Sequence, residues 1–310
     1  MNDNLPGLSV STNWISRSVE RGEEIVAAAA EAGLRSLELA YSLSHQQAAD
    51  IRGLLKQGAV SVSSVHAFCP APMGFMTHGP EPYSLCDPHD RARERAVAAL
   101  RDTADFAATV GAKVVVVHAG RVAQAARPQR RLADAAHKGL FGEPKYERRL
   151  QKLLDVRDRK AAPYMKALHE SLDEILPHFE SLGIRLALEN LPTMDAMPNE
   201  SEMSALLSEY DTPTLRYWHD LGHGQIREKF GFIHHEGLAK RMAKYIGGVH
   251  IHGSPAVDDE HLMPPQGAVR YPRFAFLKEL DVPLVLEPAP GTPLEEVKAA
   301  AAYLREIWGD

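Results

Sequence analysis

Four features are absent from the 310-residue sequence: an apolar run of membrane length, a secretory signal, a CxxC pair and a net positive charge. No apolar run approaches the roughly 18 residues that a membrane helix needs, and residues 1–4 lack the basic and apolar character of a secretory signal. Cys69 and Cys86 show no CxxC spacing, so neither a disulfide framework nor a zinc–thiolate site is indicated. The formal charge of −6 disfavours a surface that coats nucleic acid or membrane. We therefore expect a cytoplasmic protein with free thiols, no membrane association and no preference for nucleic acid.

What the sequence does contain is a full set of core residues in an alternating pattern. Hydrophobic residues make up 45% of the chain, and helix-like and strand-like periodicities alternate, which is typical of βαβ units and a parallel sheet. One (β/α)8 TIM barrel of about 250 residues with insertions fits the length, so we predict a single domain over residues 1–310. The expected strands lie near residues 7–12, 35–40, 61–66, 113–118, 185–189, 214–220, 247–252 and 283–287, and a last helix lies near 293–307.

Two segments exceed the minimal βα unit. Residues 69–86, with four prolines and both cysteines, form a long loop after strand three. Residues 121–160, after strand four, contain 12 Lys and Arg against 5 Asp and Glu, a local charge of +7 that leaves −13 for the rest of the chain. Because both segments follow carboxyl ends of strands, where barrel active sites lie, both are candidate lids or substrate clamps. The basic segment is equally consistent with a solvated, partly helical excursion or an oligomer contact.

Six apolar, strand-like runs in the sequence each end in a histidine or in a residue with a carboxylate. Both kinds of side chain are good ligands for divalent metals. A closed parallel barrel is the simplest geometry that brings such strand ends together. These end residues are His66, His118, Glu189, Asp220, His250 and Glu287.

A carboxylate at the end of an apolar strand is costly to bury unless a cation or a hydrogen-bond donor compensates it. We therefore predict a metal site with Glu189, Asp220, His250 and Glu287 at its core. The two-residue repeat of a strand also places His252 on the same side as His250. Mixed imidazole and carboxylate sites suit Zn²⁺, Mn²⁺ or Co²⁺ better than Ca²⁺.

Each residue taken alone has a simpler interpretation. A solitary His66 or His118 is more often a hydrogen-bonded, half-buried histidine than a ligand, Asp220 could cap a helix, and His261 could be a surface residue. One metal centre explains all of them together, and it also gives roles to the Asp220-Leu221-Gly222-His223 and Asp259-Glu260-His261 segments. His219, His234 and His235 keep the structural interpretation.

Several short segments, in their order along the barrel, resemble the xylose-isomerase-like TIM-barrel superfamily. This superfamily groups sugar and sugar-phosphate isomerases and epimerases with the endonuclease IV family, and the resemblance spans residues 8–307. The segments are Val65-His66-Ala67, Val117-His118-Ala119-Gly120, Leu188-Glu189-Asn190, Asp220-Leu221-Gly222-His223, His250-Ile251-His252, Asp259-Glu260-His261 with Gly267, and Leu286-Glu287-Pro288.

The resemblance to the ketose 3-epimerase and isomerase branch implies one divalent ion held by Glu189, Asp220, His250 and Glu287. It also implies that Glu189 and Glu287 act as acid and base on a sugar, sugar phosphate or related polyol. The reaction would pass through a metal-stabilised enediolate. His66, His223 and His252 would contact the substrate. Superfamily members are often dimers or tetramers, so a homo-oligomer is expected on the same ground.

The resemblance to the endonuclease IV family implies a different outcome, a cluster of three zinc ions that cleaves a phosphodiester in DNA. His66, His118 and Glu189 would hold one ion; Glu189, Asp220, His250 and Glu287 a second; and His223, Asp259 and His261 a third. Segment 121–160 would contact phosphates. Residues 67–70 and Gly222 depart from the nuclease pattern, which usually has cysteine at the latter position, and the overall charge is acidic.

The isomerase hypothesis therefore ranks first, with one to three ions of Zn, Mn or Co as cofactor. His118, His223, Asp259 and His261 are candidates for further metal ligands. A metal-dependent lyase or dehydratase of the superfamily and a binding protein without turnover remain alternatives, because fold membership does not decide function. Whether Glu38, at the end of strand two, reaches the site is left open.

Overall fold

The structure, a computed structural model, describes residues 7–71 and 79–309. Within these residues eight parallel strands follow one another around a closed barrel, and the last pairs with the first through Leu8 and Leu284. The predicted fold is confirmed, and every strand end lies within one residue of its predicted position. The strands are β1 (Leu8–Ser11), β2 (Ser36–Leu39), β3 (Ser61–His66), β4 (Val114–Val117), β5 (Arg185–Glu189), β6 (Leu215–Asp220), β7 (Ile246–Ile251) and β8 (Leu284–Leu286).

Helices cover the outside of the barrel and bury its outward-facing side chains. Along the described chain they alternate with the strands, except that a 3-10 helix, Tyr271–Leu280, takes the place of an α-helix between β7 and β8. The α-helices are α1 (Gly22–Glu31), α2 (His45–Lys56), α3 (Asp90–Thr109), α4 (Ala126–His137), α5 (Pro144–Leu182), α6 (Glu200–Tyr210), α7 (Leu221–Phe230), α8 (His235–Met242) and α9 (Leu294–Trp308).

The barrel interior is filled by a small cluster of side chains from alternate strand positions: Val114, Val116, Ala187, Trp218 and Val285. Trp218 is the largest of them and is fully buried. It fits because the neighbouring strand carries Gly248, where an added Cβ would lie 1.9 Å from the indole ring. The plug of apolar side chains closes the barrel below its carboxyl-terminal mouth.

The segment of residues 121–160, which we call the basic arm, is mostly helical. It comprises α4 and the first part of the 39-residue α5, whose buried Tyr146 and Leu153 alternate with exposed basic residues. The Tyr146 hydroxyl donates to the Phe230 carbonyl at 3.0 Å, and the His137 ring lies 2.9 Å from Asp258. The arm is thus a mostly helical excursion anchored to the end of α7 and to the loop after β7.

The loop after β3 can be described only in part, because residues 72–78 of the predicted 69–86 segment lie outside the described residues. Cys69 and Cys86, at its two ends, are buried free thiols, as predicted. In residues 7–71 and 79–309 no helix combines the length and the apolar character needed to cross a membrane.

Candidate metal centre

The candidate ligands stand one layer above the apolar plug. A strand points alternate side chains to the same face, so the residue two positions after each plug residue also faces inward, at the mouth. In this way Val116 leads to His118, Ala187 to Glu189, Trp218 to Asp220 and Val285 to Glu287. Gly248 leads to His250 in the same manner.

Glu189 lies at the centre of the arrangement. Its Oε1 is 3.2 Å from His250 Nδ1 and 3.4 Å from His223 Nδ1, and its Oε2 is 3.2 Å from His118 Nε2 and 3.5 Å from His66 Nε2. The carboxylate is only 1% exposed, and Oε2 has no geometrically acceptable hydrogen-bond donor among the described residues. A buried anionic oxygen without a donor, facing two imidazole nitrogens, is the environment that a bound cation would satisfy.

The predicted quartet of Glu189, Asp220, His250 and Glu287 converges on one atom. His250 Nδ1 lies 3.2 Å from Glu189, 3.3 Å from Glu287 and 3.6 Å from Asp220. The other ring nitrogen, Nε2, lies 3.0 Å from the Glu38 carboxylate. Glu38 therefore reaches the site, as a brace for His250.

A second set of side chains, which we call the outer group, consists of His223, His252, Asp259 and His261. Asp259 lies 3.1 Å from His223 Nε2 and 3.4 Å from His261 Nε2, and the His252 and His261 rings stack with centroids 3.9 Å apart. His252 Nε2 is also 2.9 Å from Asp220, which joins the outer group to the quartet.

Among residues 7–71 and 79–309, potential ligand atoms lie within 4.8 Å of one another in five overlapping groups of residues. Together they contain every residue that was predicted to bind metal or substrate, and they add Glu38. They are His66, His118 and Glu189, which we call the His66 group; Glu189, Asp220 and His250; Glu38, His250 and Glu287; Asp220, His252 and Glu287; and the outer group.

Charge in the mouth is balanced by buried imidazoles. Burial alone would raise the pKa of Glu189, but His250 and His118 hold it well below its usual range. Burial likewise opposes a charged His118 and His261, yet nearby carboxylates, chiefly Glu189 and Glu287 respectively, raise the pKa of each to about 9. The buried carboxylates therefore need positive charge close to them. A divalent ion would supply this charge and would displace the protons of the imidazoles. The donor set of imidazoles and carboxylates fits Zn²⁺, Mn²⁺ or Co²⁺.

Gly222 explains how His252 enters the site. A Cβ at this position would lie 2.0 Å from the His252 ring, so a side chain there and the observed imidazole exclude each other. The departure from the nuclease pattern at 222 is therefore coupled to an additional histidine in the outer group.

The three histidines given structural roles lie outside the ligand groups. His219 and His235 are buried behind the centre with their Nε2 atoms 3.2 Å apart, and burial lowers the pKa of His219 to about 4. His234 accepts a hydrogen bond from the Gly237 backbone at the start of α8.

Two residues near the centre were missed by the sequence analysis. Glu81 lies beside His118 and Arg121 pairs with Glu81, and both residues belong to segments that were identified only by composition. No spacing in the sequence relates Glu81 to a ligand, because a loop rich in proline has no periodicity.

Known proteins share this barrel architecture. The family model described as xylose isomerase-like TIM barrel matches residues 26–307. A Sinorhizobium fredii (strain NBRC 101917 / NGR234) protein, "Uncharacterized protein y4fM", is 23% identical over 235 residues, which cover 73% of this chain. The match spans 65% of that relative, slightly less than two thirds of its length.

Solved structures with the same fold include two described as epimerases or epimerase-like. A D-tagatose 3-epimerase-like protein superposes with a TM-score of 0.67 at 19% identity, over 97% of this chain and 96% of that one. The apo form of 3-keto-D-glucoside 4-epimerase, YcjR, from E. coli gives a TM-score of 0.68 at 16% identity, over 97% and 99%. At these identities the likeness establishes the shared fold.

Proposed function

The chain belongs to the xylose isomerase-like TIM barrel family, and on that premise we propose that it is a divalent-metal-dependent isomerase or epimerase. The substrate would be a sugar, a sugar phosphate or a related polyol. The observation that carries this proposal is the pair of strand-end glutamates, Glu189 and Glu287, which lie 3.2 Å and 3.3 Å from the same nitrogen of His250. Two carboxylates that approach one point from different strands can serve opposite faces of a small substrate.

The quartet would hold the ion, which when bound would act as a Lewis acid on a substrate carbonyl and stabilise an enediolate. Proton transfer would belong to Glu189 and Glu287: one, as the carboxylate, would take the proton beside the carbonyl, and the other, as the carboxylic acid, would deliver its own proton to the opposite face. The depressed pKa of Glu189 keeps it ionised, as a base requires. Burial alone would raise the pKa of Asp220, but His223 and His252 lower it to about 2. Asp220 would therefore stay an anionic ligand.

His66, His223 and His252 have two roles open to them under this proposal. In a loaded ligand group each would donate a ring nitrogen to metal, and in an unloaded group each would orient substrate hydroxyls. His223 already donates from Nδ1 to the Asn190 carbonyl, 2.8 Å away, which fixes its ring and leaves Nε2 facing Asp259.

Hydrogen exchange tests the reaction directly. The metal-loaded protein is incubated with a panel of ketoses and ketose phosphates in deuterated water, and deuterium should enter the carbon beside the carbonyl. Glu189→Gln and Glu287→Gln should each slow the exchange by about 10²- to 10⁴-fold. Glu260→Gln, which neutralises an exposed carboxylate in the loop after β7, is the matched control. No exchange with any compound at full metal loading would overturn the proposal.

A zinc phosphodiesterase acting on DNA is the second candidate, because the ligand groups include all nine residues that a three-zinc cluster would use. The coupling of Gly222 to His252 and the net charge of −6 weigh against it. Zinc-loaded protein should nick a duplex that contains an abasic site if this candidate is correct. Intact duplex at high protein concentration would eliminate it.

A further inference from the structure

Glu81 makes a contact that no ligand assignment requires. Its Oε1 lies 3.0 Å from Nδ1 of His118, while Nε2 of the same ring lies 3.2 Å from Glu189 Oε2. A carboxylate accepts hydrogen bonds, so Glu81 favours the form of His118 that carries its proton on Nδ1. This form leaves the lone pair of Nε2 directed at Glu189, where the His66 group meets.

Arg121 holds Glu81 in this position. Its Nε donates to Glu81 Oε2 at 2.9 Å and its Nη2 to Oε1 at 2.8 Å, a two-pronged pairing that fixes the plane of the carboxylate. Arg121 also lies 3.3 Å from Asp195. The loops after β3, β4 and β5 therefore meet at one guanidinium. Burial opposes ionisation of Glu81, but His118 and Arg121 hold its pKa well below the usual range, so it remains an anion.

His118 is braced differently from the other histidines of the ligand groups. Most of them direct their second nitrogen to a backbone carbonyl: His66 to Ala67, His223 to Asn190 and His261 to Glu287. His250 uses Glu38, a strand residue inside the barrel. For His118 the brace is a side chain of the long loop after β3, so its orientation depends on a segment outside the barrel framework.

We propose that Glu81 is a positioning residue that fixes His118 as an Nε2 ligand and so allows the His66 group to hold a divalent ion of its own. Arg121 supports it by fixing the Glu81 carboxylate. The inference rests on the proposed metal centre, but it concerns the number of ions and not the reaction. It predicts that the loop after β3 determines whether a second ion binds beside the ion of the quartet.

Metal binding by the full chain tests the role of Glu81. Metal-free wild type, Glu81→Ala and Glu81→Gln are titrated with Zn²⁺ and Co²⁺ against a competing chelator, and metal per chain is measured after dialysis. Glu81→Ala should weaken one ion by about 10- to 100-fold and leave the quartet ion in place. Glu81→Gln, which keeps an acceptor but loses the charge, should fall between Glu81→Ala and wild type. Arg121→Gln should change affinity in the same direction by less.

Asp87→Asn is the matched control, because Asp87 lies in the same loop and its carboxylate, among the described residues, accepts from the backbone of His89 and lies 3.0 Å from the His89 ring. It should leave both affinities unchanged. The visible spectrum of the Co²⁺-loaded protein gives a second readout, since an altered His118 ligand changes the absorption of one ion only.

Two results overturn the inference: a single ion in wild type, or equal affinities in wild type and Glu81→Ala. In the second case, a lower Tm for metal-free Glu81→Ala would make Glu81 and Arg121 a structural ion pair alone. The proposed isomerase reaction fails separately, by absence of exchange in protein that binds its ions normally.

Discussion

The mouth of the barrel and the basic arm hold charge in opposite ways. In the mouth, buried carboxylates lie 2.9 to 3.6 Å from buried imidazoles, which carry the opposite charge when protonated, and nearly every polar atom has a partner. In the arm, five cations line one groove of about 420 Å³, and none of them pairs with a carboxylate in the described part of the chain. These cations are Arg131, Lys145, Arg148, Arg149 and Lys152.

The difference follows from solvent. A charge taken out of water must be compensated by neighbours, so the mouth is determined residue by residue. Exposed like charges are screened by salt over about 8 Å and cost little, so the arm tolerates a run of them on one helix face. Substitutions in the mouth should therefore have large effects, and matched substitutions in the arm small ones.

Glu189→Gln should give the largest effect, because Glu189 belongs to two ligand groups and is the proposed base. We expect about a 10²- to 10⁴-fold loss of exchange activity together with a loss of bound metal. Glu147→Gln neutralises an exposed carboxylate in the first turn of α5 and should change neither quantity. Elemental analysis and deuterium exchange on both variants provide the measurement. Equal behaviour of the two would abolish the distinction between mouth and arm.

How much of the mouth the sequence predicts follows from the same physics. Strand-end residues such as Asp220 and His250 could be placed, because a closed barrel brings the ends of its strands together whatever the loops do. The barrel and its family were predicted and are confirmed. Glu81 could not be placed, because its position depends on a loop conformation that no periodicity encodes. Charge alone could not distinguish a loop from a helix in the arm, and there the apolar spacing of Tyr146 and Leu153 is decisive.

Gly222→Ala should give the next effect. The added Cβ would lie 2.0 Å from the His252 ring, which must then leave its place 2.9 Å from Asp220. We expect a loss of about 1 to 3 kcal/mol in stability and weaker metal binding by the outer group. Gly53→Ala, on α2 with nothing within 4 Å of the new atom, is the control and should not destabilise the protein. Tm and metal titration measure both variants, and unchanged values for Gly222→Ala would contradict the coupling to His252.

Removing metal should make the stability of the mouth depend on pH. In chelator-treated protein, burial alone would lower the pKa of His118 and of His261. Nearby carboxylates, chiefly Glu189 for His118 and Glu287 for His261, raise each pKa to about 9 instead. A raised histidine pKa stabilises the folded protein fully below about 6.5, and this contribution is lost as the pH rises towards 9. Tm should therefore fall by several degrees over this window. Glu189→Gln should flatten the fall, and Arg148→Gln in the arm should preserve it. A Tm independent of pH in metal-free wild type would contradict the charge pairing.

Substitution in the basic arm should have the smallest effect, and it should raise the stability of the protein instead of lowering it. Arg148 lies one turn from both Lys145 and Lys152 on the exposed face of α5, and like charges at these spacings destabilise a helix. Arg148→Glu replaces two repulsions with two attractions and places the acid four residues before Lys152, the better orientation. We expect a gain of about 0.3 to 0.5 kcal/mol in low salt that disappears in high salt. Arg148→Gln removes repulsion only and should gain less. Denaturant titration at two ionic strengths measures both variants. A loss of stability in Arg148→Glu would mean that the cations of the arm are held by contacts as specific as those of the mouth.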